Sequence, residues 1–183
     1  MSYHISGDRS RSLNGNIPIS RYPTTFPNHL TGAHLIFCKN PPGSALFTRD
    51  IRDYYRNFIL SPFTWWKTYG FAMGSFWFNP YLPFGGSSCT LTAQRQSDAI
   101  RSIVEAIDIG AKTVAMLDHY LAVVPRREED TDDTILTRST AIARDFDTVL
   151  RKLGLPTAPE KNQEPSFTTI WHGTEYDSKT GCL

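Results

Sequence analysis

Thr113-Val-Ala-Met-Leu-Asp118-His119-Tyr-Leu-Ala-Val-Val124 sets β-branched and apolar residues on both sides of one polar pair. Apolar flanks of this kind make two strands, and the short turn between them displays Asp118 and His119. Upstream, Ala45-Leu-Phe-Thr-Arg-Asp50 follows the breaker Asn40-Pro-Pro-Gly43. A short apolar run after a breaker, ending on a carboxylate, predicts a buried strand with Asp50 at its end. The two carboxylates are 68 positions apart with a helix between them, a layout able to bring both onto one edge of a sheet. Two acids converging there repel, and the usual resolution is a divalent metal whose shell is completed by phosphate oxygens. An ordinary exposed hairpin turn is the alternative for Asp118-His119.

Working outward, residues 53–60 (DYYRNFIL), closed by Ser61-Pro62, predict a short helix or helical turn with its aromatic residues inward. Residues 69–78 (YGFAMGSFWF), with Gly74 near the middle, predict a hairpin ending at Asn79-Pro80. The tight segment 82–88 leads into a helix over 88–109, whose Ile100, Ile103, Val104 and Ile107 share one face. A second helix over 135–153 repeats the pattern with Ile135, Ile142, Phe146, Val149 and Leu150, and Gly154 ends it. A last strand pair spans 167–171 and 174–176, split at Gly173. This alternation predicts an α+β fold, an antiparallel sheet with helices packed on one face.

Composition narrows the class. With 183 residues, 40% hydrophobic and 20% charged, the chain has enough apolar surface to offset ordering entropy, which excludes intrinsic disorder as its general state. No apolar run approaches the ~20 residues of a membrane helix, and the polar, proline-rich N-terminus lacks a secretory core. An intracellular, non-secreted protein without a membrane partner is expected. Cys38, Cys89 and Cys182, odd in number and widely spaced, read as free thiols. Net charge is +1, yet residues 1–80 carry eight basic against three acidic residues, and residues 81–183 carry eleven against fifteen. The basic half is the candidate for phosphate contact. The run Glu128, Glu129, Asp130, Asp132, Asp133 reads as a solvated loop.

The succession of segments resembles the palm of a reverse transcriptase of the retrotransposon and retroviral type, from about residue 40 onward. Phe47-Thr-Arg-Asp50-Ile-Arg-Asp-Tyr-Tyr55 resembles the first catalytic motif, an aspartate ending a strand with an aromatic residue five positions on. Leu82-Pro-Phe-Gly85 resembles the Leu-Pro-x-Gly turn that opens a helix under the template. Met116-Leu-Asp118-His119 resembles the Tyr-x-Asp-Asp hairpin. Leu153-Gly-Leu-Pro-Thr-Ala-Pro-Glu-Lys161 resembles the motif whose lysine follows a helix-to-loop transition, and Trp171-His172-Gly173 resembles the primer-grip hairpin.

The resemblance implies template-directed transfer of deoxynucleotides to a primer 3′ hydroxyl, with nucleic acid as partner and Mg²⁺, or Mn²⁺, as cofactor. By position Asp50 and Asp118 would be the metal ligands and Lys161 the charge partner or proton donor at the triphosphate. Tyr55 would be the steric gate under the sugar, Phe84 and Gly85 would line the substrate site, and Trp171, His172 and Gly173 would press on the primer. Plainer roles stand beside these: a core tyrosine, a solvated lysine, a tight turn and a packed hairpin.

Several positions depart from the pattern. His119 stands where the family has its second aspartate, and neutral imidazole is a poor Mg²⁺ ligand. Met116 replaces the hairpin tyrosine, Tyr54 stands where a small residue is usual, Phe84 stands where retroviral members often have glutamine, and His172 takes an apolar position. Length adds the expectation of a palm over 40–183 without a thumb, preceded over 1–39 by an irregular arm or fingers remnant. The reading is a truncated, degenerate palm with impaired catalysis. A polymerase that works with Mn²⁺ despite His119 is one alternative. Another is a non-enzymatic nucleic-acid-binding or assembly module offering exposed Trp65, Trp66 and Trp77. A metal-dependent nuclease using Asp50, Asp118, His119 and His172 is a lesser one.

Overall fold

Strand β1 (Ala45–Asp50) is buried along its whole length and lies inside a four-stranded antiparallel sheet. The computed structural model describes residue 20, residues 25–86 and residues 88–181. Most of the expected N-terminal arm (1–19 and 21–24) and Cys182 lie outside the described residues. The chain divides into a larger unit, residues 26–52 and 96–183, and a smaller one that includes 53–95.

In the larger unit β1 pairs with β5 (His119–Val124) on one side and with β6 (Gln163–Ser166) on the other. Strand β4 (Lys112–Met116) lies beyond β5, giving the order β4-β5-β1-β6. The hairpin and the buried strand stand as the sequence predicts, and so do the α+β class and the antiparallel sheet. Alternation along β1 sends neighbouring side chains to opposite faces. Phe47 meets Phe146 of α3 (Asp132–Lys152) edge-on at 5.9 Å, and Tyr120 meets the same ring at 5.8 Å. Leu46, Leu121 and Val123 pack on the other face with Ile36, Trp171 and Tyr176. Ile36 belongs to a single π-helical turn (His34–Cys38) that continues α1 (His29–Ala33). Trp171 and Tyr176 come from the hairpin of β7 (Thr168–Trp171) and β8 (Thr174–Asp177). With both faces covered, β1 is a continuous apolar run up to Phe47 rather than an alternating one.

Two elements here escape the sequence pattern. Strand β6 contains Pro165, which lacks an N–H for a ladder and is tolerated because β6 is a sheet edge. The helical segment 29–38 is too short to show a 3.6-residue period, although Asn28 caps it.

The acidic run is more than a solvated loop. Thr131 and Thr134 form a reciprocal capping box, and Asp132 and Asp133 fill the first turn of α3, where the helix dipole favours anions. Asp132 pairs with Arg126 at 2.8 Å and with Lys179, and Asp130 pairs with Arg138. Gly154, with φ of +75°, supplies the left-handed step that ends the helix region.

In the smaller unit a 3-10 turn (Tyr54–Asn57) leads to an antiparallel bridge between Ile59 and Tyr81. The Tyr54 hydroxyl donates to the Ala93 carbonyl at 2.9 Å, in the first turns of α2 (Cys89–Ile107). A second 3-10 turn (Pro62–Thr68) precedes β2 (Tyr69–Ala72) and β3 (Ser75–Phe78), the expected hairpin. Among the described residues Cys38 and Cys89 are free thiols, and no helix is long and apolar enough to cross a membrane.

Candidate functional site

Pairing of β1 with β5 sets Asp50 directly opposite His119, and the Ile51 amide donates to the Asp118 carbonyl at 2.9 Å. Asp50 and Asp118 therefore sit at the same end of adjacent strands. The turn that presents Asp118 is under tension: Leu117 has φ of +55°, a left-handed conformation that a leucine adopts at a cost of about 1–2 kcal/mol. Ser97, fully buried on α2, donates its hydroxyl to the Leu117 carbonyl and holds that conformation.

Residues 156–162 clamp Asp50 from the other side. The Ala158 amide donates to the Asp50 carbonyl at 2.8 Å, and the Asp50 amide donates to Asn162 Oδ1 at 3.1 Å. Lys161 Nζ then reaches Asp50 Oδ1 at 3.3 Å. The Asp50 side chain is 11% exposed and that of Lys161 61%, so a solvated, movable ammonium faces a fixed carboxylate. The lysine's pKa is raised, chiefly by its hydrogen bond to Asp50. The Asp118 carboxyl is pushed upward, first by burial and further by the nearby Asp50 charge, against the lowering effects of its own backbone amide and Lys161.

His119 is held as a neutral imidazole. Burial is the main cause, the neighbouring His172 adds to it, and the pKa falls to about 4. Its ring stands edge-on to His172 at 5.0 Å, and Trp171 Nε1 donates to the His119 carbonyl at 3.3 Å. His172 and Gly173 both have positive φ, +50° and +76°, forming the tight turn between β7 and β8. The sequence-derived residues Asp50, Asp118, Lys161, Trp171, His172 and Gly173 thus gather at one end of the larger unit's sheet. Among the described residues no group of three His, Cys, Asp or Glu side chains is arranged to hold a metal. His119 and His172 spend their faces on each other and on Trp171 instead.

Tyr55, Phe84 and Gly85 belong to the smaller unit. The Tyr55 and Phe84 rings lie 4.3 Å apart, tilted by 38°, with Tyr55 buried and Phe84 exposed. Gly85 has φ of +83°, and a side chain placed there would meet only open space, so the turn requires its conformational freedom rather than its small size. The three tryptophans expected to be exposed differ from one another. Trp66 is exposed, Trp65 is half-buried and donates Nε1 to the Leu60 carbonyl at 2.9 Å, and Trp77 packs over Gly70 with its outer edge in solvent.

Sequence reasoning missed Asn162 and Ser97, whose hydrogen bonds fix Asp50 and the Asp118 turn. It also missed Arg49, which is 2% exposed and pairs with Asp147 at 2.8 Å, neutralising a buried charge one residue from Asp50. An arginine in a strand that opens on the apolar run Ala45-Leu-Phe47 was the available signal, because such a side chain is buried only when paired.

The chain matches no protein-family model and no curated protein. Solved structures do resemble it. The native prototype foamy virus protease–reverse transcriptase crystal structure aligns with a TM-score of 0.65 at 13% identity, over 93% of this chain and 20% of that one. The selenomethionine-labelled CSH mutant of the same protein aligns with a TM-score of 0.64 at 12% identity, over 94% and 21%. The chain spans about a fifth of the length of these foamy virus chains. At such identity the likeness establishes the fold, which is reverse-transcriptase-like.

Proposed function

We propose that this chain is a retroelement-type reverse-transcriptase palm that engages a primer–template and deoxynucleotides through an impaired nucleotidyl-transfer centre. The observation that carries the reading is the convergence of Asp50 and Asp118 beside Lys161, with a neutral histidine next to them. Two carboxylates, one raised in pKa partly by the other, form a site that favours a cation. The donor set fits a hard divalent ion that shares its shell with substrate phosphates, and not one enclosed by protein alone. Asp50 and Asp118 would hold Mg²⁺ or Mn²⁺, which supplies Lewis-acid activation of the primer hydroxyl and neutralises the leaving pyrophosphate.

The remaining roles belong to the chain's own groups. Lys161, with its exposed ammonium, moves from Asp50 to an incoming triphosphate. His172 and Gly173 form the tip offered to the primer strand, and Trp171, fully buried beneath them rather than exposed to a primer, supports that tip. By the resemblance, Tyr55 would be the steric gate for the sugar, and Phe84 and Gly85 would line the substrate site. His119, uncharged at neutral pH, contributes no negative charge, and this is the origin of the impairment.

Primer extension on the full chain tests the reading. The native protein is expected to incorporate little in Mg²⁺ and somewhat more in Mn²⁺, which accepts imidazole better. His119→Asp is expected to raise incorporation by at least about 10-fold, equivalent to about 1.4 kcal/mol of barrier, and Asp50→Asn to abolish it in either background. Native activity in Mg²⁺ equal to that of His119→Asp overturns the impairment. Salt-sensitive primer–template binding with no incorporation by any variant favours a non-enzymatic nucleic-acid-binding module.

A further inference from the structure

The β2–β3 hairpin differs from every other described strand pair. Its register sets Tyr69 opposite Phe78 and Phe71 opposite Phe76, so all four side chains leave from one face of the ribbon. Each of the four is more than half exposed, and Met73 at the tip is fully exposed. Three of the rings meet, with Phe71 and Phe76 centroids 4.9 Å apart and Tyr69 and Phe76 6.3 Å apart. The opposite face is closed within the hairpin itself: the Trp77 indole lies so near Gly70 that a Cβ there would meet it at 2.3 Å. One side is therefore satisfied and the other is an aromatic slab open to solvent.

Charge sets the same segment apart. Residues 68–94 contain no Asp, Glu, Lys, Arg or His, an uninterrupted 27 positions in a chain that is 20% charged. Taking roughly 200 Å² for a large side chain, the four rings and Met73 present about 700 Å². That exceeds the ~300–600 Å² of the largest apolar patch on a typical monomer and approaches the ~800 Å² that each partner gives to a standard interface.

The missing charges select the occupant. Single-stranded nucleic acid stacks on aromatic rings but draws its affinity from cations beside its phosphates, and an anionic membrane makes the same demand. A two-fold homodimer has the opposite requirement, because the symmetry brings like charges together and an uncharged face avoids their repulsion. We infer that the Tyr69, Phe71, Phe76 and Phe78 face is a homodimer interface, at which the hairpins of two copies stack about a two-fold axis. The inference stands apart from the carboxylate site and does not depend on activity there.

Sedimentation velocity and light scattering on the full chain provide the test. A dimer is expected that persists at high salt, as apolar association does. Phe71→Asp and Phe76→Asp each bury an unpaired carboxylate and are expected to weaken it at least about 30-fold. Met73→Glu at the exposed tip gives a second route, and unchanged circular dichroism shows that each variant is folded. Concentration-dependent slowing of amide exchange confined to 69–78 supports the same face. A native chain that stays monomeric at high concentration overturns the inference. So does a dimer that survives all three substitutions, or a monomer whose aromatic face binds oligothymidylate or phosphatidylglycerol vesicles instead.

Discussion

The β4–β5 and β2–β3 hairpins are both antiparallel pairs joined by two-residue turns, yet one is interior and the other stands in water. The pair with the larger, more apolar rings is the exposed one. Residue type thus sets that a hairpin forms, while the surroundings set what it does. Strand β5 is covered on both sides by α3 and by the β7–β8 hairpin, so Asp118 in the turn and His119 at the start of the strand are held in fixed places. The β2–β3 ribbon carries no ionisable side chain apart from Tyr69 and leaves its aromatic slab open.

The contrast is sharpest in what truncation costs. Trp171→Ala removes a fully buried side chain that packs with Ile36, Leu46 and Leu121, and it is expected to cost about 3–5 kcal/mol. Phe71→Ala, on the exposed hairpin, is expected to cost no more than about 0.5 kcal/mol when measured by denaturant unfolding of the dilute, monomeric chain. Equal losses would break the distinction between the two regions.

A titration separates them next. His119 has a folded pKa of about 4 against an ordinary 6.5. The unfolded chain therefore binds a proton between those values that the folded chain refuses, and stability falls as pH drops from 6.5 toward 4. The loss is about 3 kcal/mol at pH 4 relative to pH 7. His119→Gln is expected to flatten that part of the profile, measured as unfolding free energy against pH. A profile identical to that of the native chain would show that His119 is not buried neutral.

The smallest effects lie in the turns. Leu117 is a leucine in the left-handed region, whereas Gly74 takes the same region with φ of +75° and no side chain. Leu117→Gly is expected to gain up to about 1 kcal/mol by releasing strain, and Gly74→Ala to lose about the same. Thermal melts of the two variants moving in opposite directions would bear this out. A loss at Leu117→Gly would mean that the leucine side chain contributes more than its backbone costs.

Legibility in the sequence followed the range of the forces involved. Strand β1 was readable at both ends because Asn40-Pro-Pro-Gly43 breaks the chain before it and a carboxylate ends it. The β4–β5 turn was readable because a polar pair interrupts a uniformly apolar stretch, although His119 proved to be the first residue of β5 rather than part of the turn. Strand β6 was hidden by Pro165, whose defect matters only if a strand has neighbours on both sides. The neutrality of His119 was hidden as well, since it arises from contacts with Trp171 and His172, more than 50 positions away.

What the sequence by itself determined is therefore local: one buried strand, two long helices, three hairpins, and the order in which Asp50, Asp118 and Lys161 follow one another. Periodicity, turn residues and breakers act within a few positions, and they are written in the chain. Only the tertiary structure decided that Asn162, Lys161 and the Ala158 amide meet around Asp50, that one hairpin is buried and another bare, and that a histidine beside an aspartate stays uncharged. Those outcomes depend on desolvation and on which distant residues are brought together, and neither is carried by any short stretch of sequence.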